Sequence, residues 1–270
     1  HAGAPVMTAA AMSVPALLAP PPGLRVLITA GAGGIGRVMA QAFRDAGARV
    51  HVCDVDEAAL ARLPEGVTGE RADVADAASV GALVKNALDR LGGLDVLVNN
   101  AGLAGPTATV EAMDEDDWRR TVDVNLTGQF LLARACAAAL RDSRGALINL
   151  ASVAGRLGFA RRAPYAATKW GVVGLTKSLA IEWGGDGVRV NAILPGIVRG
   201  PRIEGVIRAR AEAKGVTYEQ EEADTLSRVS LGAMVDPEEI AAMALFLCSP
   251  GGRSITGQAL SVCGDVQTLG

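Results

Sequence analysis

From Leu24 onward the chain alternates short, nearly uninterrupted apolar runs with longer stretches of helical periodicity, and few folds accept that alternation. The runs are Arg25–Thr29, Arg49–Cys53, Thr68–Ala72, Leu94–Asn99, Ala146–Ala151, Arg189–Ile193 and Ala259–Val262. Strands that lack a polar face suit a parallel sheet covered on both sides. Helices are expected at Gly34–Ala46, Ala75–Leu91, Asp114–Leu140, Pro164–Trp183 and Pro237–Leu247. The order predicts an α/β fold: a Rossmann-like, doubly wound, mainly parallel seven-stranded sheet with helices on both faces. No repeat or linker divides it, so residues 23–270 are expected to form a single domain. Residues 1–22 are rich in Ala and Pro and lack the basic start of a secretory signal. They are expected to be a disordered segment, partly tag-derived.

Composition removes several function classes. Half of the residues are hydrophobic (50%) but only 3% are aromatic, so the core must be built from Ala, Val, Leu and Ile. The net charge is −3, and no basic stripe offers to neutralise a nucleic-acid backbone. No apolar run reaches the ~18–20 residues needed to span a bilayer. Cys53, Cys136, Cys248 and Cys263 are scattered, and His1 and His51 are the only histidines, so no metal site is expected. A Ser-His-Asp hydrolase would depend on His51, inside a predicted strand. Dispersed thiols read as reduced and buried, which makes the cytoplasm the expected compartment.

The first strand leads into Thr29-Ala30-Gly31-Ala32-Gly33-Gly34-Ile35-Gly36 and then directly into a helix. Glycines there permit a tight turn and let a pyrophosphate approach the positive helix N-terminus. A glycine-rich loop can also be an ordinary turn, but its position between strand and helix favours a dinucleotide. Asp54 stands eighteen residues past Gly36, at the end of the second run. A carboxylate there can accept both hydroxyls of an adenosine ribose and would repel a 2′-phosphate. No Arg or Lys follows at Val55 or Asp56 to offset that repulsion, so the reading is NAD over NADP.

Tyr165 and Lys169 lie four residues apart and share a helix face, with Ser152 thirteen residues upstream. A phenol ordinarily ionises near pH ~10. A neighbouring cation favours the phenolate and makes the tyrosine usable as a proton acceptor. Alone, the pair could be a surface Tyr and Lys, and Ser152 a turn serine; the rest of the chain argues otherwise.

With these motifs in order, from Gly23 to the C-terminus, the chain resembles the short-chain dehydrogenase/reductases of the single-domain branch. The matching residues are the turn Thr29–Gly36, Asp73-Val74, Asn99-Asn100-Ala101-Gly102, Asn125, Ser152, Tyr165, Lys169 and Pro195-Gly196. The resemblance implies a general acid/base role for Tyr165, with Lys169 supporting it and holding the nicotinamide ribose. It implies that Ser152 orients the substrate oxygen and that Asn125 anchors a water relaying protons from Lys169. Gly31, Gly33, Gly34, Ile35, Gly36 and Asp54 would bind the dinucleotide, Asp73 and Val74 would bracket adenine, and Asn100, Ala101 and Gly102 would lie beside the adenosine ribose. Pro195, Gly196 and Val198 would meet the nicotinamide. The family also implies a homodimer or homotetramer assembled through the helices Asp114–Leu140 and Pro164–Trp183.

The chain departs from the pattern at three places. Ala30 replaces the first Gly of the turn, read here as a mild change. Gly200 occupies a place where many members carry a Thr, and Val262-Cys263-Gly264-Asp265 stands where an Asp-Gly-Gly sequence is usual.

The implied reaction is NAD-dependent hydride transfer between a secondary alcohol or ketone and the nicotinamide. The rivals are an NADPH-dependent 3-oxoacyl reductase, disfavoured by Asp54, and a non-catalytic dinucleotide-binding regulator, disfavoured by the intact Asn125, Ser152, Tyr165 and Lys169. Residues 198–231 are highly charged and are expected to form a substrate lid. Arg199, Arg202, Arg208 and Arg210 in that segment, with Arg156, Arg161 and Arg162 before Tyr165, suit a small polar substrate such as a sugar or hydroxy acid. The alternative is a solvated charged surface.

Overall fold

A computed structural model describes residues 13–269. In chain order the main elements are α1 (Val14–Leu18), β1 (Arg25–Thr29), α2 (Gly34–Asp45), β2 (Arg49–Asp54), α3 (Glu57–Leu60), β3 (Val67–Arg71), α4 (Ala77–Leu91) and β4 (Val96–Asn99). They continue with α5 (Glu115–Val122), α6 (Gly128–Ser143), β5 (Ala146–Leu150), α7 (Ala163–Gly184), β6 (Arg189–Pro195), α8 (Pro201–Lys214), α9 (Tyr218–Leu226), α10 (Pro237–Cys248) and β7 (Ala259–Val262). The strands form one seven-stranded sheet in the order β3-β2-β1-β4-β5-β6-β7, and every pairing is parallel. Strand order reverses between β1 and β4, and ligands of such sheets bind beyond the strand ends at that switch point.

The all-apolar strands are explained by cover on both faces. Met39 and Phe43 of α2 and Ile240, Ala244 and Leu247 of α10 pack with Ile28, Val52 and Ile148 on one side. On the other, Leu83 and Val84 of α4, Leu132 and Leu140 of α6 and Leu179 and Trp183 of α7 meet Leu27, Leu97 and Leu147. Side-chain caps fix the helix starts: the Asp76 carboxylate accepts from the amides of Ala78 and Ser79, so α4 opens at Ala77 rather than at Ala75.

Three expectations change. The single helix predicted over Asp114–Leu140 is interrupted by a π-turn at Asp123–Thr127, between α5 and α6. Gly128 follows it, where a Cβ would lie 2.9 Å from Val74 Cγ2; the close approach leaves no room for a side chain. In the segment expected to be disordered, Val14–Leu18 is a short helix, while residues 1–12 lie outside the described residues. The charged segment 198–231, for which no helix is predicted from the sequence, contains two helices, α8 and α9, the second opened by a Thr217–Gln220 capping box. Among the described residues no helix is long and apolar enough to cross a membrane.

Candidate active site

At the carboxyl ends of the strands lies a cleft of about 680 Å³. Its floor begins with the turn after β1. Gly34 takes a left-handed φ of +50°, which glycine adopts without strain, and Cβ atoms on Gly33 or Gly34 would meet nothing within 4 Å. Their backbone is therefore open to the cleft at the first turn of α2, the arrangement that receives phosphate oxygens. Gly31 and Gly36 are closely packed. A Cβ on Gly31 would lie 2.6 Å from Val52 Cβ, and one on Gly36 would collide with the Ala30 carbonyl and with Asn100 Nδ2.

Ala30 is less innocent than the sequence suggested. Its φ is +48°, so a residue with a Cβ sits where the backbone favours glycine. The turn is held regardless: Asn100 Nδ2 donates to the carbonyls of Thr29 and Ala30 at 3.0 and 3.1 Å. The Thr29 hydroxyl accepts from the amides of Asn100 and Ala101, both at 3.0 Å, joining the ends of β1 and β4 at the switch point. Asp54 also lines the cleft, and its carboxylate accepts from the Ala32 and Asp56 amides, each at 3.2 Å.

The second half of the cleft carries the reactive side chains. Ser152 follows β5, and its Oγ accepts from the Ala154 amide at 3.1 Å, leaving the hydroxyl proton free to donate elsewhere. A short 3-10 turn, Val153–Gly155, runs close over α7: a Cβ on Gly155 would lie 2.8 Å from the Lys169 carbonyl oxygen. That close approach brings Ser152 to the wall occupied by Tyr165. One helical turn apart on α7, Tyr165 and Lys169 face the same cleft, with Lys169 Nζ 5.6 Å from the centre of the phenol ring. Phe159 supports the phenol edge-on, 6.4 Å between ring centres. Lys169 is buried and donates to the Leu150 carbonyl at 2.9 Å. Burial, and secondarily the charge of Arg202, pull its ammonium down from 10.5 to about 8.

Asn125 sits in the π-turn, fully buried. Its Nδ2 donates to the Leu103 carbonyl at 2.9 Å and to Thr168 Oγ1 at 3.3 Å, and its Oδ1 accepts from the Leu103 amide at 2.6 Å. π-turns inside α-helices recur at functional sites because the extra residue re-aims side chains. Gly102 lies between this carboxamide and the lysine: its Cβ position is 3.4 Å from both Asn125 Oδ1 and Lys169 Nζ.

Asn100, Gly102, Ile35, Pro195, Gly196 and Val198 also line the cleft. Ala101 is buried behind the wall, as is Val74, which packs on Gly128. Asp73 stands outside that wall; its carboxylate accepts from the Ala75 amide at 2.9 Å and from Arg120 at 3.0 Å. Sequence reading missed Phe159, Ile203, Val206, Thr225, Thr268 and Leu269, which close the substrate side. The bridge between Phe159 and Leu269 brings the chain end over the site, and nothing local announces such a contact. Of the three arginines before Tyr165, Arg162 alone lines the cleft; Arg156 donates to Ser261 Oγ and the Ala259 carbonyl instead.

A family model described as enoyl-(acyl carrier protein) reductase matches residues 30–265. A Streptomyces violaceoruber protein described as a ketoacyl reductase of the granaticin polyketide synthase is 39% identical, covering 96% of this chain and 97% of the relative. The chain belongs to the short-chain dehydrogenase/reductase family. Trans-4-hydroxycyclohexanecarboxylate dehydrogenase of Sinomonas cyclohexanicum is 37% identical over 88% of this chain and 90% of that one. Among solved structures of the family, an actinorhodin polyketide ketoreductase variant with NADPH superposes with a TM-score of 0.84, at 34% identity, over 90% of this chain and 97% of its own. A 3-ketoacyl-(acyl-carrier-protein) reductase of Brucella melitensis complexed with NADH gives 0.80, at 32% identity, over 91% and 99%. Short-chain dehydrogenase/reductases of this group are oxidoreductases that act on secondary alcohols or ketones with nicotinamide cofactors.

Proposed function

We propose that the protein interconverts a secondary alcohol and its ketone with NAD as the preferred dinucleotide. The observation that carries this reading is the meeting of Ser152, Tyr165 and Lys169 in the cleft that also exposes the Gly33-Gly34 backbone and Asp54. The residues present fit a dinucleotide: the open glycine backbone suits a pyrophosphate, and the Asp54 carboxylate suits a ribose diol and disfavours a 2′-phosphate. A bound nicotinamide supplies the hydride acceptor or donor.

The chain's own residues supply the rest. Ser152 donates to the substrate oxygen and orients it. In oxidation, the carbinol carbon gives up a hydride while Tyr165 takes the hydroxyl proton; in reduction, both transfers reverse. The Lys169 ammonium supports negative charge on the phenol oxygen by proximity. Asn125 acts as a positioning residue, holding the Leu103 backbone and, through Thr168, the first turns of α7.

Two finer readings accompany this one. Phe130 on α6 and Trp170 and Ile181 on α7 leave 45%, 52% and 84% of their surfaces exposed, which supports a homodimer or homotetramer assembled through those helices. Four free cysteines, three of them buried, suit a reducing compartment such as the cytoplasm.

The test is a panel of secondary alcohols, sugars and ketones scanned for interconversion of NAD+ and NADH. On the best substrate, Tyr165→Phe should abolish turnover while the NADH dissociation constant stays within about twofold, because the phenol serves substrate chemistry. Ser152→Ala should lower kcat by roughly 10²–10³, the usual cost of one such donor. Substantial turnover by Tyr165→Phe would show that the proton leaves through another group.

A further inference from the structure

Resting on the oxidoreductase reading, we infer that Arg162, Arg202 and Arg210 form an oxoanion subsite at the reacting end of the cleft, selecting substrates that carry a carboxylate or a phosphate. All three line the cleft shared by Ser152, Tyr165 and Lys169. Arg202, Val206 and Arg210 recur every four residues, so one face of α8 turns toward the substrate space. Arg162 precedes α7 and reaches across: its Nη1 donates to the carbonyls of Ala104 and Gly105 at 3.0 and 3.1 Å. A guanidinium has five N–H donors, so several of its donors stay available.

Two other cations of this region are neutralised, while Arg208 lies over the Tyr218 ring, 5.7 Å from its centre, and does not line the cleft. Arg199 pairs with Asp236 at 2.9 Å and Lys214 with Glu221 at 2.7 Å. Arg162, Arg202 and Arg210 take part in no ion pair among the described residues. Burial, and then the charges of Arg202 and Arg210, hold the Arg162 guanidinium below its ordinary range, so Arg162 feels both. The Arg202 charge also contributes, after burial, to lowering the Lys169 ammonium. Cations gathered along one cleft repel one another when it is empty and are favourable around an anion. A second polar group points the same way: Thr225 of α9 lines the cleft, is only 8% exposed, and its Oγ1 has no hydrogen-bond partner. A buried hydroxyl left unpaired is costly, and a substrate oxygen would pair it.

The experiment compares matched charged and neutral probes. Acetoacetate is set against methyl acetoacetate, and dihydroxyacetone phosphate against dihydroxyacetone, in the wild-type enzyme and in Arg202→Met, Arg210→Met and the double variant. The wild type should prefer the charged member of at least one pair in kcat/KM, and which pair shows it separates carboxylate from phosphate. That preference should fall about tenfold or more in each variant, chiefly through KM, as expected for losing one charge-assisted contact. A second arm needs no turnover. Calorimetric titration of glutarate and of inorganic phosphate into the NADH-loaded wild type should give binding of at least one anion, and the double variant should lose it. This arm separates failure of the subsite from failure of the oxidoreductase reading, because it stands even if none of the ketones is reduced. The inference is overturned if neither anion binds at millimolar concentration. It is also overturned if charged and neutral probes lose activity equally, or if the variants weaken NADH binding severalfold, which would assign the arginines to the cofactor's pyrophosphate.

Discussion

Lys169 is tied to Leu150: the ammonium donates to that residue's carbonyl oxygen at 2.9 Å, at the end of the strand from which Ser152 follows two residues later. One bond thus sets the lysine's position and relates α7 to β5. It also keeps a cation buried with only a neutral acceptor beside it, a condition that costs stability and suits a site built for charge.

The cost can be read as a pH dependence. In the folded protein the Lys169 ammonium titrates near 8, against 10.5 as the ordinary value. Between those values the unfolded chain holds more protons than the folded one, so this residue's contribution to stability rises with pH across that window. At pH 7 the charge costs the folded state on the order of 3 kcal/mol, offset in part by the bond to Leu150, worth about 1 kcal/mol. Lys169→Met should therefore melt a few degrees higher than wild type at pH 7 without cofactor. The gap should narrow as pH climbs from 8 toward 10.5; calorimetry showing a constant gap would contradict the assignment.

Dinucleotide choice is expected to follow the charge of Asp54. Asp54→Asn removes the charge and keeps one acceptor oxygen, so it retains one of the two amide bonds, from Ala32 to Oδ2 or from Asp56 to Oδ1, and gives up the other. Fluorescence titrations should show the ratio of NADH to NADPH affinity moving toward NADPH by about tenfold, roughly the 1–2 kcal/mol of one relieved like-charge contact. An unchanged ratio would remove Asp54 from cofactor selection.

Ala30 offers a stabilising substitution. With φ at +48° it carries steric strain that glycine would not. Ala30→Gly should gain about 1 kcal/mol, or roughly 2–4 °C in Tm for a chain of this size. A lower Tm in thermal unfolding would mean that the loop relaxes around the methyl group.

Much of this architecture is local in origin and could be read along the chain. Parallel strands covered on both faces leave continuous apolar runs, and β1, β5 and β7 begin where those runs begin. The π-turn at Asp123–Thr127 could not be read so, because α5, the turn and α6 share one helical periodicity and the break answers to a contact between Gly128 and Val74. Arg162 was one of several arginines of similar aspect; only the packing of α8 across the cleft distinguishes it from Arg156 and Arg161. Ala30 looked harmless because a sequence carries no φ.

The sequence by itself determined the fold class, the order of strands and helices, and the side chains whose chemistry suits proton transfer. Those depend on periodicity and spacing, which the chain carries within a few turns of itself. Tertiary structure alone decided which glycines are open and which are packed, that Lys169 is buried against Leu150, and that three arginines from α8 and the start of α7 share one cleft. Burial and mutual charge arise only when distant segments meet, because desolvation and Coulomb interaction depend on distance in space rather than along the chain.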